Sequence, residues 1–248
     1  MEVHKHPHNV THKKKWTEYL LEFFMIFFAV FLGFVAENLR ERIVNHQREK
    51  EYIRSMLQDL QSDTSNLAKA IEGYERKDQL FDTVFALYPT LTSGYNSTLI
   101  RSIRKERSYP DFIYTDRTIQ QLKNSGGMSL IRNQKAANAI TDYDLEMHKL
   151  SNNMVVEIGF FNDVAKSWRE IFADQHFIEN GSNQNATNSM GENYLLKNNR
   201  ATLGRFYNEL VDFRSACDFI KQQQQLIKKR AENLMTLLKK EYHLDKNG

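Results

Sequence analysis

Residues Phe23 to Ala36 read FFMIFFAVFLGFVA, an apolar run with no charge in it. A chain that carries such a run has few ways to hide it from water. With Tyr19, Leu20 and Leu21 ahead of it, the segment 16–38 extends about 34 Å as a helix at ~1.5 Å per residue. That length matches a hydrocarbon core of roughly 30 Å plus an interfacial margin. The segment is therefore expected to be a single membrane-spanning helix. A cleaved signal peptide is the poorer alternative, because Ala36 at the −1 position would put the bulky Phe34 at −3. A buried core helix is another alternative, since Glu22 shortens the uncharged part. The run nevertheless has six phenylalanines and no polar face, so it would need burial on every side.

Outside this segment the chain is built for water. Mean hydropathy over all 248 residues is −0.61 and 26% of them are charged. The net charge of +3 is too small for a nucleic-acid surface, so no nucleic-acid partner is expected. Only three prolines and ten glycines interrupt a sequence otherwise rich in helix formers. A single cysteine, Cys217, excludes an internal disulfide framework.

Two segments repeat one hydrophobic period. From Ile53 the apolar positions run Leu57, Leu60, Thr64, Leu67, Ile71, Tyr74, Asp78, Phe81, Phe85 and Tyr88, in alternating steps of four and three. That is a coiled-coil or bundle seam with polar faults at Thr64 and Asp78. Pro89 is expected to end it. Nothing between Asn38 and Ile53 breaks a helix, so span and seam are expected to form one continuous helix. The second seam is Leu203, Phe206, Leu210, Phe213, Cys217, Ile220, Gln224, Ile227, Ala231, Leu234 and Leu238. Both seams cover the same sequence distance, which favours antiparallel pairing along their length. The alternative is that each packs against a copy of itself.

A third helix is expected over 133–176, capped by Asn133, with the stripe Ile140, Tyr143, Met147, Leu150, Met154, Ile158, Phe161, Ala165, Trp168 and Phe172. This stripe needs one phase slip after Met154. A short helix over 117–124 is opened by Asp116 and closed by Gly126-Gly127. Residues 180–193, NGSNQNATNSMGEN, read as a mobile polar loop. The expected domains are a basic His-rich tail (1–15), a transmembrane helix (16–38) and an extramembrane bundle (39–248). Long helices within the bundle fall at about 39–88, 133–176 and 196–242. The fold class is all-α, one N-terminal transmembrane helix continuing into an elongated antiparallel helical bundle or coiled coil.

The string KKKWTEYLLEFFMIFFAVFLGFVAENLRERIVNHQREKEYIRSMLQDLQSD is similar to the N-terminus of a family of uncharacterised single-span inner-membrane proteins of Bacteroidota. The string TIQQLKNSGGMSLIRNQKAANAITDYD resembles that family's second recurrent segment, and the two together cover about a third of the chain. The resemblance implies a bacterial inner-membrane protein with a helical domain and brings no activity with it.

Glu22 is the sharpest single candidate, since a carboxylate inside an apolar span is costly and marks a functional site by default. On a helix Glu22, Ile26, Ala29, Gly33 and Ala36 share one face, and Ala29-x-x-x-Gly33 lets two helices approach closely. A homo-oligomer would gather several Glu22 carboxylates around an axis, where they bind a cation or hold protons. The plainer reading is a carboxylate reaching the headgroups or Lys15, or hydrogen-bonding between helices. Lys13, Lys14, Lys15 and Trp16 are expected at the lipid headgroups, with the N-terminus cytoplasmic and the bundle periplasmic. His4, His6, His8 and His12 form an alternating run without the supporting shell of a real metal site, and no metal or cofactor is expected. Arg101, Arg104, Lys105 and Arg107 read as a solvated face. Tyr109, Phe112 and Tyr114 read as loop packing, and Trp168 and Phe172 as core. No H-E-x-x-H, P-loop, G-x-S-x-G or CxxC motif occurs. The expectation is a non-enzymatic, membrane-anchored, homo-oligomeric protein with a sensor-like or scaffolding role, partnered by the bilayer and by other membrane proteins. The alternative is a subunit of an ion-conducting or ion-motive complex with Glu22 at its intramembrane site.

Overall fold

A computed structural model describes residues 15–106, 112–172 and 194–244. Five α-helices are present among them: α1 (Trp16–Leu87), α2 (Ser97–Glu106), α3 (Arg117–Asn124), α4 (Gln134–Ile171) and α5 (Arg200–Glu241). Turns of 3-10 helix follow α1 at Tyr88–Thr90 and α3 at Gly127–Leu130. The described residues contain no strand, only an isolated bridge between Phe172 and Leu195. The protein is all-α. It divides into two compact units, Met1–Lys50 and Glu51–Gly248, with the boundary inside α1.

The first unit contributes the N-terminal part of α1. Its best apolar window has a mean hydropathy of 2.3 and none of that window is buried. The phenylalanines stack along the helix, Phe23 on Phe27 and Phe27 on Phe31, with ring centroids 6.2 and 6.0 Å apart. The helix is long and apolar enough to cross a membrane.

The second unit is a bundle of α1, α4 and α5. Along α4 and α5 residue numbers run in opposite senses: Asn133 Nδ2 donates to Glu241 Oε2 (2.5 Å), Asn153 Nδ2 to Gln223 Oε1 (2.9 Å) and Arg205 Nη2 to Glu170 Oε2 (2.6 Å). α1 also opposes α5, with Phe81 against Phe213 (5.8 Å), Phe85 against Tyr207 (5.3 Å) and Arg214 donating to Asp82 (2.7 Å). α1 and α4 therefore run the same way, and the 88–133 connection returns along them. The long α4 and α5 are capped at their starts by Asn133 and Asn199, whose side chains accept from Ala136 N (3.1 Å) and Thr202 N (2.9 Å).

The α5 seam lies in the core at every position expected of it. The other two seams differ from the sequence reading. On α1 the buried seam positions are Ile53, Met56, Leu60, Asp63, Leu67, Ala70, Tyr74, Lys77, Phe81 and Val84, with Glu49 and Asp59 buried beside them. Every second member thus falls one residue earlier than the apolar pattern suggests, while Leu57, Thr64, Ile71, Asp78 and Phe85 sit half-buried on the flank. On α4 the stripe needs no phase slip, because Glu157, 1% exposed, holds the seam position and Ile158 is 40% exposed. The middle helix ends at Ile171, not at 176, and Phe172 caps it in an extended conformation. The expected loop 180–193 lies outside the described residues, as do the tail histidines.

Candidate functional site

Glu22, Ile26, Ala29, Gly33 and Ala36 lie on one face of α1, and all five are exposed in the single chain. A Cβ built on Gly33 would meet nothing within 4 Å, so this face is open to a close neighbour. Lys15 precedes the helix and its carbonyl accepts from Glu18 N (2.8 Å); Trp16 opens the helix at 70% exposure. Lys13 and Lys14 lie outside the described residues.

Inside the bundle the structure assembles polar groups that the periodicity hides. Tyr74 of α1 donates its hydroxyl to Glu157 Oε2 of α4 (2.8 Å), and Cys217 Sγ of α5 lies 3.3 Å from Glu157 Oε1. One residue from each long helix thus meets in the core. Lys77, 3% exposed, holds its ammonium 4.6 Å from the centre of the Phe213 ring and 5.7 Å from that of Phe81. Such placement over aromatic faces offsets part of the cost of taking the cation out of water. Gln224, 0% exposed, has no hydrogen-bond partner for either amide atom among the described residues.

A second network joins α1 to the returning connection. Asp59 Oδ2 accepts from Thr118 N (2.9 Å), and its Oδ1 accepts from Arg117 Nε (3.0 Å). Asp63 Oδ1 accepts from Thr115 N (2.8 Å) and its Oδ2 from the Tyr143 hydroxyl (2.9 Å). Asp116 stands at the N-cap of α3, but its side chain makes no capping bond. Asp59 therefore supplies from another helix the cap that the sequence assigns to Asp116. Burial holds the Asp63 carboxyl above the ordinary aspartate range, against the opposing pull of these hydrogen bonds. Burial and the neighbouring aspartates likewise push the Tyr114 and Tyr143 hydroxyls up, so both remain donors. Tyr114 donates to Asp144 (3.1 Å) and Phe112 packs on the core, as expected of loop packing, while Tyr109 lies outside the described residues.

Surface depressions occur among the described residues of this unit. One, about 550 Å³, lies where α1 ends and α5 begins and includes Tyr88, Arg200, Leu203 and Tyr207. Another, about 250 Å³, follows the α4–α5 groove between Phe160 and Phe219. No group of three or more His, Cys, Asp or Glu residues placed to hold a metal occurs among the described residues. Arg101, Arg104 and Lys105 lie exposed on α2. Comparison with protein-family models, curated proteins and solved structures finds no match to this chain.

Proposed function

We propose that this chain is a membrane-anchored helical protein with a sensor-like or scaffolding role that assembles into a homo-oligomer in a bacterial inner membrane. The observation that carries the reading is the make-up of α1. One unbroken helix starts in an apolar segment with no buried window and ends as a core element of a water-facing bundle. An apolar surface of that extent is not left in water, and a helix satisfies its own backbone within lipid. Lys13, Lys14, Lys15 and Trp16 would sit at the cytoplasmic headgroups and the bundle in the periplasm. The small residues Ala29 and Gly33 favour self-association of the span on the Glu22 face.

Native mass of the full chain in nanodiscs tests the reading, with Gly33→Leu as the control for the face. A homo-oligomer that Gly33→Leu dissociates supports it, and a monomer at all concentrations refutes the assembly. A ring of four or more would turn the Glu22 face towards an axis and favour the ion-conducting alternative. Glu22→Gln should then abolish cation flux in liposomes without changing the mass.

A further inference from the structure

We infer that the cavity where α1 ends and α5 begins is a binding site for a small aromatic monocarboxylate. Its volume of about 550 Å³ falls in the range of small-molecule sites, roughly 300–1,000 Å³. Two parts of the chain build its wall. Tyr88, Leu91 and Thr92 follow α1, while Arg200, Gly204 and Asn208 recur at every fourth residue of α5 and form one stripe along it. The aromatic part of the wall is already held in place. The Tyr88 hydroxyl donates to Leu203 O (2.8 Å), and the Tyr88 ring meets that of Tyr207 at 4.9 Å in an edge-to-face arrangement. Tyr207 also packs against Phe85 (5.3 Å). Tyr207 nevertheless stays 37% exposed. A positioned ring with open surface accepts another flat ring, stacked or edge-on.

The charge on this wall is unbalanced. Among the described residues lining the cavity Arg200 is the only charged one, and it makes no ion pair or side-chain hydrogen bond with the others described. Arg200 also opens α5, whose first turn has no acidic residue. A cation there works against the positive end of the helix dipole, so the helix itself gives no reason for it. A guest anion would answer both the guanidinium and the helix end. One guanidinium matches one negative charge, and its planar fork fits a carboxylate. Gly204 adds a separate indication. A Cβ there would meet nothing within 4 Å, so no protein atom demands a glycine at a helical position where it costs stability relative to alanine. The missing side chain leaves floor space in the cavity. Thr92, Asn198 and Asn208 line the same space with side chains that bond to no described residue. They supply donors and acceptors for polar substituents on a ring. An occupant would touch both the end of α1 and the start of α5.

The site names a ligand class for the sensor-like role, and its use in signalling rests on that reading, whereas binding itself does not. Benzoate is the probe, titrated into the full chain in nanodiscs and read by saturation-transfer NMR against empty nanodiscs. Benzamide keeps the ring without the charge, and acetate keeps the charge without the ring. Benzoate should bind saturably, and each analogue about tenfold more weakly, for want of the charge-assisted pair or the ring contact. Arg200→Gln should remove the advantage of benzoate over benzamide. Gly204→Leu should fill the floor and weaken both. Arg200 and Gly204 are exposed on α5, so circular dichroism should show each variant folded. Lys229→Gln, at an exposed position elsewhere on α5, should leave the titration unchanged. No saturable benzoate binding up to about 10 mM, equal binding of benzoate and benzamide to the wild type, or equal loss in Lys229→Gln and Arg200→Gln would each overturn the assignment. Native mass is read separately. A monomer that binds benzoate refutes only the assembly, and an oligomer that does not bind it refutes only this site.

Discussion

At the scale of single residues, the buried polar groups decide what the core tolerates. Tyr74→Phe removes a donor from Glu157 while keeping the ring, so the bundle should lose about 1–2 kcal/mol in denaturant unfolding. Gln224→Leu works the other way. Both amide atoms are buried without partners among the described residues, and replacing them with a hydrocarbon of similar volume should stabilise by about 1–2 kcal/mol. A loss of stability in Gln224→Leu would mean that the amide is in use. Asp63 sets a pH dependence whose sign follows from its environment. Its carboxyl is held above the ordinary value of 3.8 in the folded chain, so the folded state binds this proton more tightly than the unfolded state. The contribution is therefore fully present below 3.8 and is lost as pH rises through the raised value. Relative to Asp63→Asn, the wild type should lose stability as pH climbs through that window. A difference that grows in the opposite sense would contradict the burial argument.

At the scale of elements, α3 is the clearest case of structure supplied from elsewhere. Its own N-cap residue, Asp116, makes no capping bond, and Asp59 of α1 accepts from Thr118 N instead. Asp59→Ala should cost about 1–2 kcal/mol, the usual worth of a cap, and hydrogen exchange should quicken in α3 before it does in α4 or α5. Asp116→Ala should leave that exchange pattern nearly unchanged. The same contrast shows what the sequence could and could not reveal. The α5 seam was legible at every position because its flanks carry Arg214, Lys221 and Lys228, which leave a single apolar face. On α1 and α4 the apolar pattern pointed one residue past the buried one, since Asp63, Lys77 and Glu157 are held inside by tertiary partners. A hydroxyl from a helix 80 residues away, as Tyr143 offers Asp63, leaves no trace in a local period. The Asp59–Asp63 spacing of one helical turn beside the seam is the only local sign that a carboxylate pair was needed there.

At the scale of the whole molecule, the function proposed here requires that α1 be one helix in the membrane-bound protein. Its secondary structure is unbroken from Trp16 to Leu87. The stretch 39–50 has no proline or glycine, and ion pairs such as Glu37–Arg40 lie along the helix surface. Arg40, Arg42, Arg48 and Lys50 place trypsin sites throughout this stretch, and all but Lys50 are exposed. Exposure alone does not permit cleavage, because the protease must bind an extended backbone and a helix denies it one until the segment opens. Trypsin applied to the nanodisc-embedded chain should therefore cut slowly between Asn38 and Ile53. Introducing two glycines, Val44→Gly and Gln47→Gly, lowers helix stability there by about 1 kcal/mol at each site and should accelerate the cut several-fold while the bundle core stays folded. Rapid cutting of the wild type in this stretch would show that the helix opens there and would count against one continuous α1.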